Sequence, residues 1–307
     1  IKIDSIYLNG NFQFRFQSFG NLNGANDTWH VDYVKIDKNR DTVSEQHIKD
    51  MAYGFLPPSL LKHYYVMPYH QFDTTDLADT ISVFVKNNFN NPTTDIVDYF
   101  EAKVEKTGAT VYSFNGPSRD FGPVTTNEIK YPKFNIPLDL TGDTVVIKVD
   151  YHFDVSAEAG EPAKVLANNK VTHRQIFSNY FAYDDGTPER GYIIGDLKTN
   201  TGIDFYKMAV KYGLRKPDTL QAIKFQFYPV KPDNHLAVFS VCVWKNFSRN
   251  SVYNENDLIY QQPNLKIADL IQEYGVDTIN GFYYVPIKPA FLLNGATYPL
   301  VLNDTFA

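Results

Sequence analysis

At 307 residues and 43% hydrophobic content, the chain can bury two or three cores of roughly 100–150 residues each. A formal charge of −6, with no cluster of Lys and Arg, speaks against a nucleic-acid partner, because phosphate binding needs concentrated positive charge. A single cysteine excludes a disulfide framework, and no apolar run approaches the roughly 20 residues of a membrane helix.

Phe and Tyr number 23 and 22 against 2 Trp and 3 Met, a surplus that favours pleated, half-buried surfaces over helices. Near the start, Phe12, Phe14 and Phe16 alternate with Gln13, Arg15 and Gln17. Alternation returns from Asp27 to Asp37, which predicts Trp29, Val31 and Tyr33 inward and Thr28, His30 and Asp32 outward. The Gly- and Asn-rich stretch Ser18 to Asn26 has turn chemistry, so the two runs read as antiparallel strands closing a sandwich. Residues 41–56 are mixed, with a short helix predicted from Ser44 to Met51. Pro57 and Pro58 mark a boundary.

Residues 57–170 read as one immunoglobulin-like or fibronectin-like sandwich. Its predicted strands are Leu61 to Tyr69, Thr80 to Asn87, Ile96 to Glu105, Ala109 to Asn115, Lys133 to Pro137 and Asp143 to Phe153. Asn87 to Pro92 is a turn, and Ser156 to Pro162 a linker or exposed loop. Residues 171–307 open another unit. Strands are predicted at Ile176 to Tyr183, Met208 to Gly213, Ala222 to Pro229, Ala237 to Lys245 and Phe282 to Pro286, with one helix at Ile267 to Tyr274. The fold class is therefore all-β: tandem sandwich modules, jelly-roll or immunoglobulin-like, with both terminal modules reading as incomplete.

Phe12 to Phe16 followed by Asp27 to Val34 resembles the closing strands of lectin-like jelly rolls in large secreted Bacteroidota proteins. Tyr180 to Tyr192, which contains Asp184, Asp185, Gly186 and Pro188, is similar to the segment opening a further jelly roll in the same proteins. The resemblance implies residues 1–56 as the end of one jelly roll and 171–307 as the start of a second. It further implies an extracytoplasmic protein of an organism with type IX secretion, placed in the periplasm, outer membrane or cell surface.

Searches for chemistry return no complete constellation. Glycosidases need paired carboxylates across a bond, and Asp32 and Asp37 have the wrong spacing to share a strand face. The histidines, His30, His47, His63, His70, His152, His173 and His235, are scattered, and no zinc motif appears. The Gly-x-Ser-x-Gly elbow and phosphate-cradling glycine loops are absent. Cys242, within Val238 to Trp244, reads as a core residue rather than a reactive thiol. Asp184 and Asp185 are the best calcium candidates, although turn formation explains them more simply. Trp29 suits a sugar-stacking platform but reads first as core, as does Trp244. Tyr64, Tyr65 and Tyr69 are candidates for exposed contact residues.

No catalytic, metal or cofactor residues are therefore assigned. The sequence favours a non-catalytic structural or interaction protein with a protein partner in an outer-membrane or cell-surface assembly. A carbohydrate-binding sandwich is the alternative, with a glycan ligand. An enzyme whose catalytic domain lies outside these residues is a third class. Interrupted sandwiches would leave strand edges for a partner to cover.

Overall fold

The computed structural model describes residues 3–7, 9–17, 19, 31, 34, 36, 49–137, 144–158, 163–187, 206–227, 236–245, 255–276, 281–294 and 297–304. The fold is all-β, built from several open sheets. Ile1–Arg40 with Pro188–Ile193 form one compact unit, and Asp41–Thr187 with Ile194–Ala307 form another.

In the first unit, a 3-10 turn at Ser5–Tyr7 precedes Phe12 to Gln17, which pair with no strand among the described residues. This corrects the expected strand. Alternation marks a sheet face only where a neighbouring backbone supplies hydrogen-bond partners. Here the rings meet one another instead, Phe12 to Phe14 at 6.2 Å and Phe14 to Phe16 at 5.7 Å between centroids. Val31, expected inward, is 54% exposed, which corrects that face assignment as well. Trp29, Tyr33, Thr28, His30 and Asp32 lie outside the described residues.

Among the described residues, the second unit opens with nine strands: β1 (Met51–Tyr53), β2 (Val66–Pro68), β3 (Thr80–Asn87), β4 (Thr93–Val104), β5 (Thr110–Asn115), β6 (Arg119–Phe121), β7 (Thr126–Pro132), β8 (Val145–Asp154) and β9 (Lys170–Ser178). One sheet has the order β1-β3-β7. The other runs β2-β9-β8-β4-β5, with β6 also on β4. Parity decides which side chains go inside. Ile81, Val83 and Val85 of β3 face Ile96, Phe100 and Ala102 of β4 and Ile147, Val149, Tyr151 and Phe153 of β8 across one shared core. Each such large side chain contributes about 1.5–3 kcal/mol by leaving water. The outward row of the larger sheet is polar, with Tyr99 opposite His152, Glu101 opposite Asp150 and Lys103 opposite Lys148. β2 runs parallel to β9, joining residues far apart in the chain. A four-residue helix, α1 (Ala163–Leu166), and the turn Ala167–Asn169 lead into β9.

Six strands follow among the described residues: β10 (Tyr206–Gly213), β11 (Asp218–Phe225), β12 (Val238–Trp244), β13 (Leu258–Lys266), β14 (Tyr283–Leu293) and β15 (Thr297–Asp304). Their sheets are β10-β15-β12-β13 and β11-β14, enclosing Ile223, Phe239, Val241, Val285 and Ile287. The helix α2 (Ile267–Tyr274) adds Ile267 and Leu270 to that core. Apolar residues at helical spacing form its inner stripe, and Gly275 ends it at φ 72°, a conformation that costs glycine little. From Phe239 to Trp244, β12 is buried on both faces, so Cys242 and Trp244 form a second small cluster behind the sheet.

Candidate interaction site

A polar joint fixes the nine-strand sandwich to the six-strand one. The chain after β2 presents Gln71, 1% exposed, to the turn between β10 and β11. Gln71 Oε1 accepts from Arg215 N at 2.9 Å and Lys216 N at 3.1 Å. Its Nε2 donates to Lys216 O at 3.1 Å and to Asp218 Oδ2 at 3.2 Å. The same Asp218 oxygen lies 2.7 Å from His70 Nε2. Arg215 forks onto Asp76, with Nη2 2.6 Å from Oδ1 and Nε 3.1 Å from Oδ2, and Asp76 holds the guanidinium above its ordinary pKa. Beside these bonds Tyr64 packs on Phe181, Tyr183 and Tyr212. Burial pushes the Tyr212 hydroxyl up to about 12, so it stays protonated at physiological pH.

Separately, a groove of about 360 Å³ opens between β1 and the start of β9. Tyr53, Gly54, Phe55, Leu56, Asn168, Lys170 and Val171 line it. Phe55 and Leu56 are 67% and 76% exposed, directly before Pro57 and Pro58. Phe55 meets Phe84, outward-facing on β3, edge to face at 5.7 Å. Phe55 and Phe84 meet in water, and Leu56, next to Phe55 in the chain, adds a further exposed apolar side chain beside the groove. A buried polar frame sets the walls. Glu158 accepts from Met51 N and, at 2.7 Å, from Asn169 Nδ2. Asp50 accepts from Asn168 Nδ2 and Asn88 Nδ2, each at 3.1 Å. These bonds tie β1 to the 167–169 turn and hold the groove walls together. Lys170 places its amine at the rim, 3.8 Å from Asp150 Oδ2. A lining of mixed apolar and polar groups suits recognition of an amphipathic surface.

The calcium candidates Asp184 and Asp185 sit in a turn and brace it. Asp184 Oδ1 accepts from Gly186 N at 3.0 Å, and Asp185 Oδ1 accepts from Thr187 N at 2.9 Å and Thr187 Oγ1 at 2.5 Å. Among the described residues, no three His, Cys, Asp or Glu side chains converge as a metal cluster. His70 lies at the joint, His152 stacks on Tyr99 at 4.6 Å, His173 is buried and His63 is exposed. His30, His47 and His235 lie outside the described residues, as do Asp32 and Asp37. Cys242 is buried, as its apolar neighbours predict.

Tyr64, Tyr65 and Tyr69, expected as exposed contacts, are half-buried: Tyr64 and Tyr69 pack against the core, and Tyr65 faces His173. The patch residues Phe55 and Leu56 went unpredicted, although two large apolar residues before a double proline are a readable signal. No protein-family model matches the chain, and no curated protein is similar to it in sequence.

Proposed function

We infer that the chain is a non-catalytic structural and interaction protein that docks a protein partner through the Phe55, Leu56 and Phe84 patch. The observation that carries this is a set of large apolar side chains kept in water beside an open groove. Such surfaces are costly to maintain without a partner. The joint at Gln71 adds a fixed geometry between the two sandwiches, which suits an assembly component. The resemblance to secreted Bacteroidota jelly-roll proteins supports an extracytoplasmic setting at the outer membrane or cell surface, as component or cargo of type IX secretion.

The test is co-purification of the tagged full-length protein from its native membrane, compared with the Phe55→Ser, Leu56→Ser double variant. Loss of a co-purifying protein in the variant supports the reading. Equal recovery with both overturns it.

One observation favours glycan binding as a second reading. Tyr99 and His152 stack within 11° of parallel on the outward face of the larger sheet, flanked by Glu101 and Asp150. Rings and carboxylates on one sheet face are the groups a sugar uses. A glycan array that loses its signal with Tyr99→Ala, and keeps it with the Phe55 and Leu56 changes, would select this reading.

A further inference from the structure

His173 packs against the segment that couples the two sandwiches. It faces inward on β9, opposite the fully buried Val149 of β8, and is itself 8% exposed. Its Nε2 is buried and finds no hydrogen-bond partner among the described residues. The ring meets Tyr65 edge to face at 6.0 Å between centroids. Gln175, next on the same face of β9, donates to Tyr65 O at 2.6 Å and accepts from Leu60 N at 2.9 Å, which holds this stretch against the strand.

The same stretch reaches the six-strand sandwich. Tyr65 N donates to Ala182 O at 2.8 Å, and Ala182 N donates to Val66 O at 2.9 Å. Tyr64 packs on Phe181, Tyr183 and Tyr212, and its hydroxyl accepts from Gly213 N at 3.0 Å at the end of β10. The residue that covers His173 is therefore the chain neighbour of the one that grips β10.

The titratable groups bearing on His173 are Tyr65, before β2, and Asp185, in the turn after β9, whereas β8 presents only Val149 opposite it. Burial holds the imidazole below its ordinary pKa, against smaller opposing pulls from the Gln175 hydrogen bond and the Asp185 charge. A proton on Nε2 would create a charged donor with no acceptor in the interior, a state too costly to keep. β8 and β9 are locked in a continuous ladder, but Tyr64 and Tyr65 belong to no strand, so they are the cheaper side to open.

We propose that His173 is an acid-sensitive latch on the joint: neutral, it lets Tyr64 and Tyr65 lie against β9, and on taking a proton it lifts them and loosens the grip on β10. His70, at the same joint, acts in the opposite sense, because a proton on it strengthens the bond to Asp218. The direction of the response thus identifies the group.

Hydrogen–deuterium exchange of the full chain from about pH 7.5 to pH 5, corrected for the intrinsic pH dependence of exchange, is the test. Below about pH 6.5, opening of peptides covering residues 60–66, 180–187 and 208–215 should rise by up to about tenfold per pH unit, the limit for one proton. Peptides of β3, β4 and β8 should keep their protection. In the wild-type chain the His173 ring, followed by NMR, should titrate over the same range as the opening. His173→Gln and His173→Leu should each remove the acid response and keep the neutral-pH pattern. A rise spread evenly over all strands would overturn the proposal, since that is general destabilisation. So would exchange at these peptides that ignores pH, or a local rise that survives in either variant.

Discussion

The carboxylate of Asp98 occupies the space that a Cβ on Gly116 would need. Gly116 N donates to Asp98 O at 2.7 Å, and Asp98 Oδ1 receives Arg119 Nε at 2.9 Å from the next strand. The close approach, not a special backbone angle, demands glycine here. Gly116→Ala must displace a buried carboxylate from its cation, and we expect a loss of about 2–4 kcal/mol. Arg119→Ala should cost somewhat less, since the guanidinium is a third exposed and already partly screened. Urea denaturation of both variants is the measurement. A midpoint unchanged by Gly116→Ala would refute this account of the turn.

Val124 has φ 49°, in the left-handed region that β-branched residues avoid, and its side chain is half in solvent. Its N–H donates to Phe89 O at 3.0 Å, and Thr125 Oγ1 closes the turn onto Gly122 O at 2.8 Å. Val124→Gly should therefore stabilise the fold by about 1 kcal/mol, because relief of strain outweighs the extra freedom of the unfolded chain. The denaturation midpoint should rise, and a fall would show that the strain is not there.

Burial lowers the pKa of His173 from 6.5, so the folded state disfavours its protonation. The unfolded chain then binds more protons as pH drops. The stability contributed by a neutral His173 is complete above about pH 6.5 and is lost as pH falls through the folded-state value. Denaturation between about pH 7.5 and pH 5 should show this decline. His173→Leu should flatten it, and an unchanged slope in that variant would assign the decline to other groups.

Gln71→Leu removes four hydrogen bonds at the joint and strands two backbone N–H groups of the β10–β11 turn. We expect a cost of about 2–4 kcal/mol and a splitting of calorimetric unfolding into two transitions, one per sandwich. A single transition at the wild-type temperature would mean that the aromatic packing around Tyr64 alone couples them.

Phe55 and Leu56 sit largely in water, so Phe55→Ser with Leu56→Ser should shift folding stability by no more than about 0.5 kcal/mol. Thermal melting checks this. A large drop would make the patch part of the core and not a docking surface.

Strong local patterns were legible in the sequence. Thr80–Asn87 and the helix Ile267–Tyr274 fall where alternation and helical periodicity place them. β12 was readable from its continuous apolar run, and β8 to within a residue or two at each end. Weakly patterned strands were not. β7 carries two inward apolar residues, Ile129 and Tyr131, on an edge, and β13 is interrupted by Gln261, Gln262, Pro263 and Asn264, with its hydrogen bonds supplied by β12. Phe134 and Ile136 reach the core from unpaired chain, so the strand expected at Lys133 to Pro137 is absent. Most of the helix expected at Ser44 to Met51 lies outside the described residues, and Met51 itself is in β1. The joint was invisible because Gln71 and Arg215 stand 144 residues apart and neither belongs to a motif.

The parallel pairing of β2 with β9 sets an order of events for a chain that emerges N-terminus first. Tyr65 receives its bond from Gln175 only after 110 further residues exist, and Met51 likewise waits 107 residues for Glu158. The hairpin pair β4 with β5 forms sooner, but β2 has no strand partner until β9 arrives. The nascent sandwich thus remains an open half-structure until β9 is made, so its cooperativity belongs to the finished chain and not to any early fragment.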